Sequence, residues 1–151
     1  MAEIKQQPIL SLPDKDDNIG FPGTDIFHRA KSSNADQVFS AVELVTQPGE
    51  GVMVHVHDYE DELVYVVDGE IEVTLGDQTM TATAGVLALL PRGIPHGFTN
   101  IGNKPSRVLD VILPGKFDRY FVELHNLYAN SDTPDEAKLN ELAEKYGVRY
   151  L

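Results

Sequence analysis

The spacing of hydrophobic positions changes once along this chain. From Thr24 to Leu113 apolar residues fall in short runs, many spaced by two and broken by glycine, proline and acidic residues. Thr24–Ala30 predicts a strand, followed by a polar turn over 31–36, and Val38–Thr46 predicts a second strand ending at Pro48-Gly49. Met53–His57 and Glu62–Val67 are rich in β-branched residues, and Asp68-Gly69 is a hairpin signal. Ile71, Val73 and Leu75 alternate with Glu70, Glu72 and Thr74, the mark of a half-buried strand. Gly76-Asp77 turns the chain into a strand over Gln78–Ala84. Val86–Leu90 is wholly apolar and predicts a strand buried on both faces. His96–Asn100 and Pro105–Leu113 complete the set. Many short strands at close intervals predict an all-β antiparallel sandwich or barrel.

After Pro114-Gly115 the period lengthens. Phe117, Tyr120, Phe121, Leu124 and Leu127 recur at helical spacing, so a helix is expected over Phe117–Ala129. It can close one end of the barrel or lie on its outside, and the outside position is favoured. A second helix is expected with Thr133 as N-cap, Pro134 at its first position and Glu136 three residues beyond the cap, running to about Tyr146 and ended by Gly147. Residues 1–20 show no sustained period and read as an extended arm. The expected organisation is thus an arm over 1–20, a barrel over 21–114 and a helical segment over 115–151.

Two stretches carry the chemistry. In the first, Gly49 is followed after five residues by His55-Val56-His57, after four more by Glu62, and after six more by Gly69. In the second, Gly85 is followed after five residues by Pro91-Arg92-Gly93, then His96 and, after three more residues, Asn100. His55 and His57 are two apart, so on a strand both rings take the same face. Three imidazoles and a carboxylate form a mixed nitrogen and oxygen shell suited to a divalent transition ion. Glu60 shares the parity of Glu62 and is the alternative carboxylate. Met53 and Phe98 share parity with His55 and His96, so both are expected to face the interior, as core or as walls of an apolar substrate pocket. Pro91 and Pro95 are expected to fix the approach of His96, and Asn100 to cap a turn. His28 and His125 lie outside both stretches and are expected at the surface or in packing.

These two stretches resemble the two conserved motifs of the cupin superfamily, position by position in type and spacing, with fifteen residues between them as in compact monocupins. The resemblance implies a jelly-roll barrel with one or two C-terminal helices. It also implies one metal ion (iron, manganese, nickel, cobalt, copper or zinc) held by His55, His57, Glu62 and His96. The chain looks like small dioxygenase cupins of the quercetinase type, which implies a small enol-like or aromatic substrate, O₂ as second guest, and Glu62 as the general base. The alternatives are a non-catalytic binding or regulatory cupin and a metal-dependent isomerase.

Composition narrows the classes further. A net charge of −12, from 24 acidic against 12 basic residues, excludes broad phosphate neutralisation, so neither nucleic acid nor anionic membrane is an expected partner. The chain has no cysteine, which removes disulfides and thiol nucleophiles. With no signal-like N-terminus, the cytoplasm is the expected location. Ile9, Leu10, Leu12, Ile19 and Phe21 need burial that the arm alone cannot supply, so a homodimer is expected in which the arm crosses onto a neighbour's sheet.

Overall fold

The structure, a computed structural model, describes residues 6–13 and 15–151; the first residues of the expected arm therefore lie outside it. Ten strands form two five-stranded antiparallel sheets. One has the order β1 (Thr24–Ala30), β2 (Ser40–Thr46), β9 (Ser106–Leu113), β4 (Asp61–Asp68), β7 (Leu87–Leu90). The other has the order β10 (Val148–Tyr150), β3 (Gly51–His57), β8 (His96–Asn100), β5 (Glu70–Leu75), β6 (Gln78–Thr83). Consecutive strands alternate between sheets except at the β1–β2 and β5–β6 hairpins, and this is a jelly roll.

Most strand bounds follow the period-two pattern. In β9 the residues Ser106, Val108, Asp110 and Ile112 point inward, opposite the inward row Glu62, Val64 and Val66 of β4. β7 departs from expectation. It lies at the free edge of its sheet, and only one face is covered: Leu87 and Leu89 are each 60% exposed, whereas Leu90 is buried. An apolar run reads alike in a central strand and an edge strand, because periodicity records no neighbour count.

The chain also forms β10, a strand that the sequence pattern did not reveal. Gly147, with φ of +66°, ends the second helix and turns the last residues onto β3, where Tyr150 pairs with His55 and Val148 with His57.

Helix α1 spans Asp118–Asn130, behind a short 3-10 turn over Gly115–Phe117, and α2 spans Glu136–Lys145. The expected cap at Thr133 is incorrect. Asp135 is the N-cap, its carboxylate accepting from the Ala137 N–H, so α2 starts two residues after the expected first position. A carboxylate also suits the positive end of the helix dipole.

Helix α1 turns its aromatic face inward, against expectation. Phe117, Tyr120 and Leu124 share one core with Ile26, Val42, Leu44 and Ile112 of the first sheet and Val148 of the second. The N-terminal segment also differs from expectation. Ile19 and Phe21 fold back on their own chain, through bridges Asn18–Phe27 and Phe21–Thr24, and Ile19 joins the core. Ile9, Leu10 and Leu12 remain exposed.

Candidate metal centre

Both sheets contribute to one buried cluster. His55 and His57 lie on β3, His96 opens β8 directly across the ladder from His55, and Glu62 reaches in from β4 of the other sheet. Gly93 donates its N–H to the His57 carbonyl, which ties the Pro91–Gly93 turn to the strand that carries two of the rings. All four side chains are buried, and one donor atom from each lies within 4.8 Å of every other.

The outer nitrogens fix the tautomers. His55 Nδ1 donates to the Met53 carbonyl at 2.8 Å and His96 Nδ1 to the Ile94 carbonyl at 3.0 Å. His57 Nδ1 faces Glu60 Oε2 at 3.4 Å. Each ring therefore presents Nε2 to the centre. There His55 Nε2 is 3.1 Å from His57 Nε2, His57 Nε2 is 3.3 Å from Glu62 Oε1, and His96 Nε2 is 2.8 Å from Glu62 Oε2. Two atoms bound at right angles to one ion, each about 2.1 Å from it, stand about 3.0 Å apart. The observed spacings fit that geometry. His96 Nε2 is buried and faces the Glu62 carboxylate with which it would share an ion. Glu60, the alternative carboxylate, instead supports His57 from behind, as acidic residues commonly do for metal-binding histidines.

Charges in the metal-free cluster are mutually dependent. Burial, with His96 and His57 alongside, lowers the His55 pKa to about 4. Burial also opposes charge on His57, yet hydrogen bonds to Glu60 and Glu62 outweigh it and raise that pKa to about 9. Burial opposes ionisation of Glu62 too, but hydrogen bonds to His57 and His96 hold its carboxyl far below the usual range. Asp110, on the strand beside Glu62, moves the opposite way: burial and the neighbouring carboxylate raise it well above the ordinary value. Binding a divalent ion requires neutral imidazoles, so it would displace the proton that His57 otherwise holds.

The cluster forms part of the wall of a cavity of about 410 Å³. Phe98 lines it. Met53 does so only at the rim, and the expectation that its side chain faces inward is overturned: the side chain is 69% exposed. The cause is a bulge. Val52 pairs with Phe98 and His55 with His96, so three steps on β3 match two on β8 and the parity reverses between them. Val52, not Met53, packs inward against the core. Gly97 sits opposite the bulge, where a Cβ would come within 2.7 Å of the Val52 carbonyl oxygen.

Phe117 and Asp110 are neighbours of the centre that sequence reasoning missed. The Phe117 ring packs edge-on against His57 with centroids 4.5 Å apart. Asp110 had a signal, since it is the one acidic residue in the otherwise apolar stretch Val108–Leu113. Asn100 behaves as expected, its amide donating to the Thr46 and Lys104 carbonyls and accepting from the Gly102 N–H. No helix among the described residues is long and apolar enough to cross a membrane.

Comparison with known proteins agrees with this architecture. A polyketide synthase protein, CurC of Streptomyces cyaneus, is 34% identical over 70 residues, covering 46% of each chain. Quercetin 2,3-dioxygenase of Bacillus subtilis is 24% identical over 117 residues, 78% of this chain and 34% of that one. The chain thus spans less than half the length of these curated relatives. An RmlC-like cupin from Shewanella frigidimarina superimposes with a TM-score of 0.64 at 20% identity, over 76% of this chain and 98% of that one. Residues 42–112 match the cupin domain family, a stretch that holds all four cluster residues together with most of both sheets, so this chain carries a cupin domain.

Proposed function

We propose that this cupin is a dioxygenase-type enzyme acting on a small, apolar enol or phenol at a single divalent metal held by His55, His57, Glu62 and His96. The observation that carries the reading is the convergence of these four donor groups on the wall of a largely apolar cavity. A bound ion would supply Lewis acidity toward a substrate oxygen. The chain's own residues do the rest. Val64, Val66, Val73, Val108 and Phe98 exclude water and select an apolar body. Phe117 shields His57 from solvent. Glu62, held ionised, is the nearest base for the proton of an incoming enol. Similarity to quercetin 2,3-dioxygenase supports this reading. No Lys or Arg lines the cavity, which disfavours a sugar-phosphate isomerase.

A second reading, a cupin that binds such molecules without turnover, is favoured by the engagement of Glu62. Its two oxygens already face His57 and His96, so it can serve as ligand alone. Oxygen uptake distinguishes the two. With the protein loaded in turn with iron, manganese, nickel, cobalt, copper or zinc, an enzyme consumes O₂ with flavonols, diketones or catechols. Thermal stabilisation without consumption supports the binding role.

The barrel and helical segment are proposed to act as one unit, since they share a core. A homodimer through the exposed Ile9, Leu10 and Leu12 and a cytoplasmic location complete the proposal.

A further inference from the structure

The inner wall of the cavity carries a carboxyl that the metal centre does not use. Asp110 lies at the middle of β9, 6% exposed, and its Oδ1 is buried with no hydrogen-bond partner. Its ladder partners are Val42 and Val64, and its inward neighbours along β9 are Val108 and Ile112. Among the described residues lining the cavity, the other titratable side chains are the four candidate ligands and, from the C-terminal segment, Tyr120, Tyr128, Glu136 and Tyr150. A buried acceptor left unpaired is costly, so native proteins rarely keep one without a use.

The position suggests the use. Glu62 pairs across the ladder with Ile112 and Asp110 with Val64, so the two acids are diagonal neighbours on the inward face of adjacent strands. We propose that Asp110 is a substrate-binding residue whose Oδ1 accepts a hydrogen bond from a hydroxyl of the ligand while an adjacent ligand oxygen meets the metal. The substrate class is then an apolar molecule with oxygens on neighbouring carbons, such as a catechol or an α-hydroxy enone. This inference rests on the enol or phenol reading above and narrows it.

The test uses zinc-loaded protein, which binds without redox turnover, and two probes, 4-tert-butylcatechol and 4-tert-butylphenol. Calorimetry gives the affinity ratio of the two for wild type, Asp110→Leu and Asp110→Asn. Asp110→Leu is expected to reduce the preference for the catechol about tenfold, the effect of one hydrogen bond, with phenol affinity and zinc content within about twofold of wild type. Asp110→Asn keeps a carbonyl oxygen and should retain most of the preference. Should the leucine variant fail to fold by circular dichroism, Asp110→Ala removes the carboxyl without adding volume and is read the same way. An unchanged ratio overturns the inference, and so does loss of zinc, which would make Asp110 a support for Glu62 alone. Failure of both probes to bind the wild type overturns this inference and the enol or phenol reading together. Carboxyl-dependent binding to the zinc form, with no O₂ uptake by any of the other metal-loaded forms, sinks only the oxygenase.

Discussion

Two buried histidine–carboxylate groups in this molecule differ in one respect. In the first, His28 on β1 sits 2.9 Å from Asp118 at the start of α1, and that carboxylate also accepts from the Ser32 N–H at 2.7 Å and the Ser32 hydroxyl at 2.8 Å. Its bonds are closed, and they pin α1 to the sheet. In the second, His55, His57 and His96 turn their Nε2 atoms toward one another and toward Glu62, so that four donor atoms lie within 4.8 Å of one another. Burial is alike in both. A buried group with separate partners holds structure, whereas four donor atoms that converge on one point are suited to hold an ion.

The largest expected effect separates the two directly. Exchanging His55 and His57 together for Ala should abolish stoichiometric metal by elemental analysis and leave the circular dichroism spectrum nearly unchanged. Full metal retention would remove the candidate site. Asp118→Ala should act in reverse. It leaves His28 and Ser32 buried without their partner, at a cost of about 3 kcal/mol in urea unfolding, with metal content preserved.

The pH dependence of the metal-free protein sharpens the contrast. The His57 pKa is raised from 6.5 to about 9, so its contribution is complete below pH 6.5 and is lost as the pH rises through 9. That loss amounts to roughly 3 kcal/mol. His55, lowered from 6.5 to about 4, acts with the opposite sign: its contribution is present above 6.5 and fades as the pH falls toward 4. Chelator-treated protein should therefore lose stability between pH 6.5 and 9. Zinc-loaded protein should gain over the same window, because binding displaces the His57 proton. Parallel curves with and without zinc would contradict the Glu60–His57–Glu62 arrangement.

Smaller effects test the bulge and the arm. Val52→Ala removes inward packing and should cost about 1 to 2 kcal/mol, whereas Met53→Ala should stay within about 0.5 kcal/mol. Equal costs would mean that the parity of β3 is not reversed. Light scattering should give a dimer for the full chain and a monomer for a chain starting at Asn18. A monomeric full chain at micromolar concentration rules the dimer out.

Local pattern determined most of the strands and the two C-terminal helices, and the motif spacing, through the family resemblance it carries, grouped His55, His57, Glu62 and His96. Side-chain direction along a strand and turn chemistry at glycine and proline act over a few residues and so are written in the sequence. Tertiary structure decided the rest. The bulge that sends Met53 outward exists because β3 must match β8 around Gly97. Asp110 lies beside the candidate metal centre because β9 pairs with β4, where its partner Val64 is more than forty positions away. The aromatic face of α1 turned inward against the core between the sheets, and Leu87 was left exposed because only one face of β7 is covered. Each of these depends on which neighbour arrives from far along the chain, and short-range periodicity does not encode that.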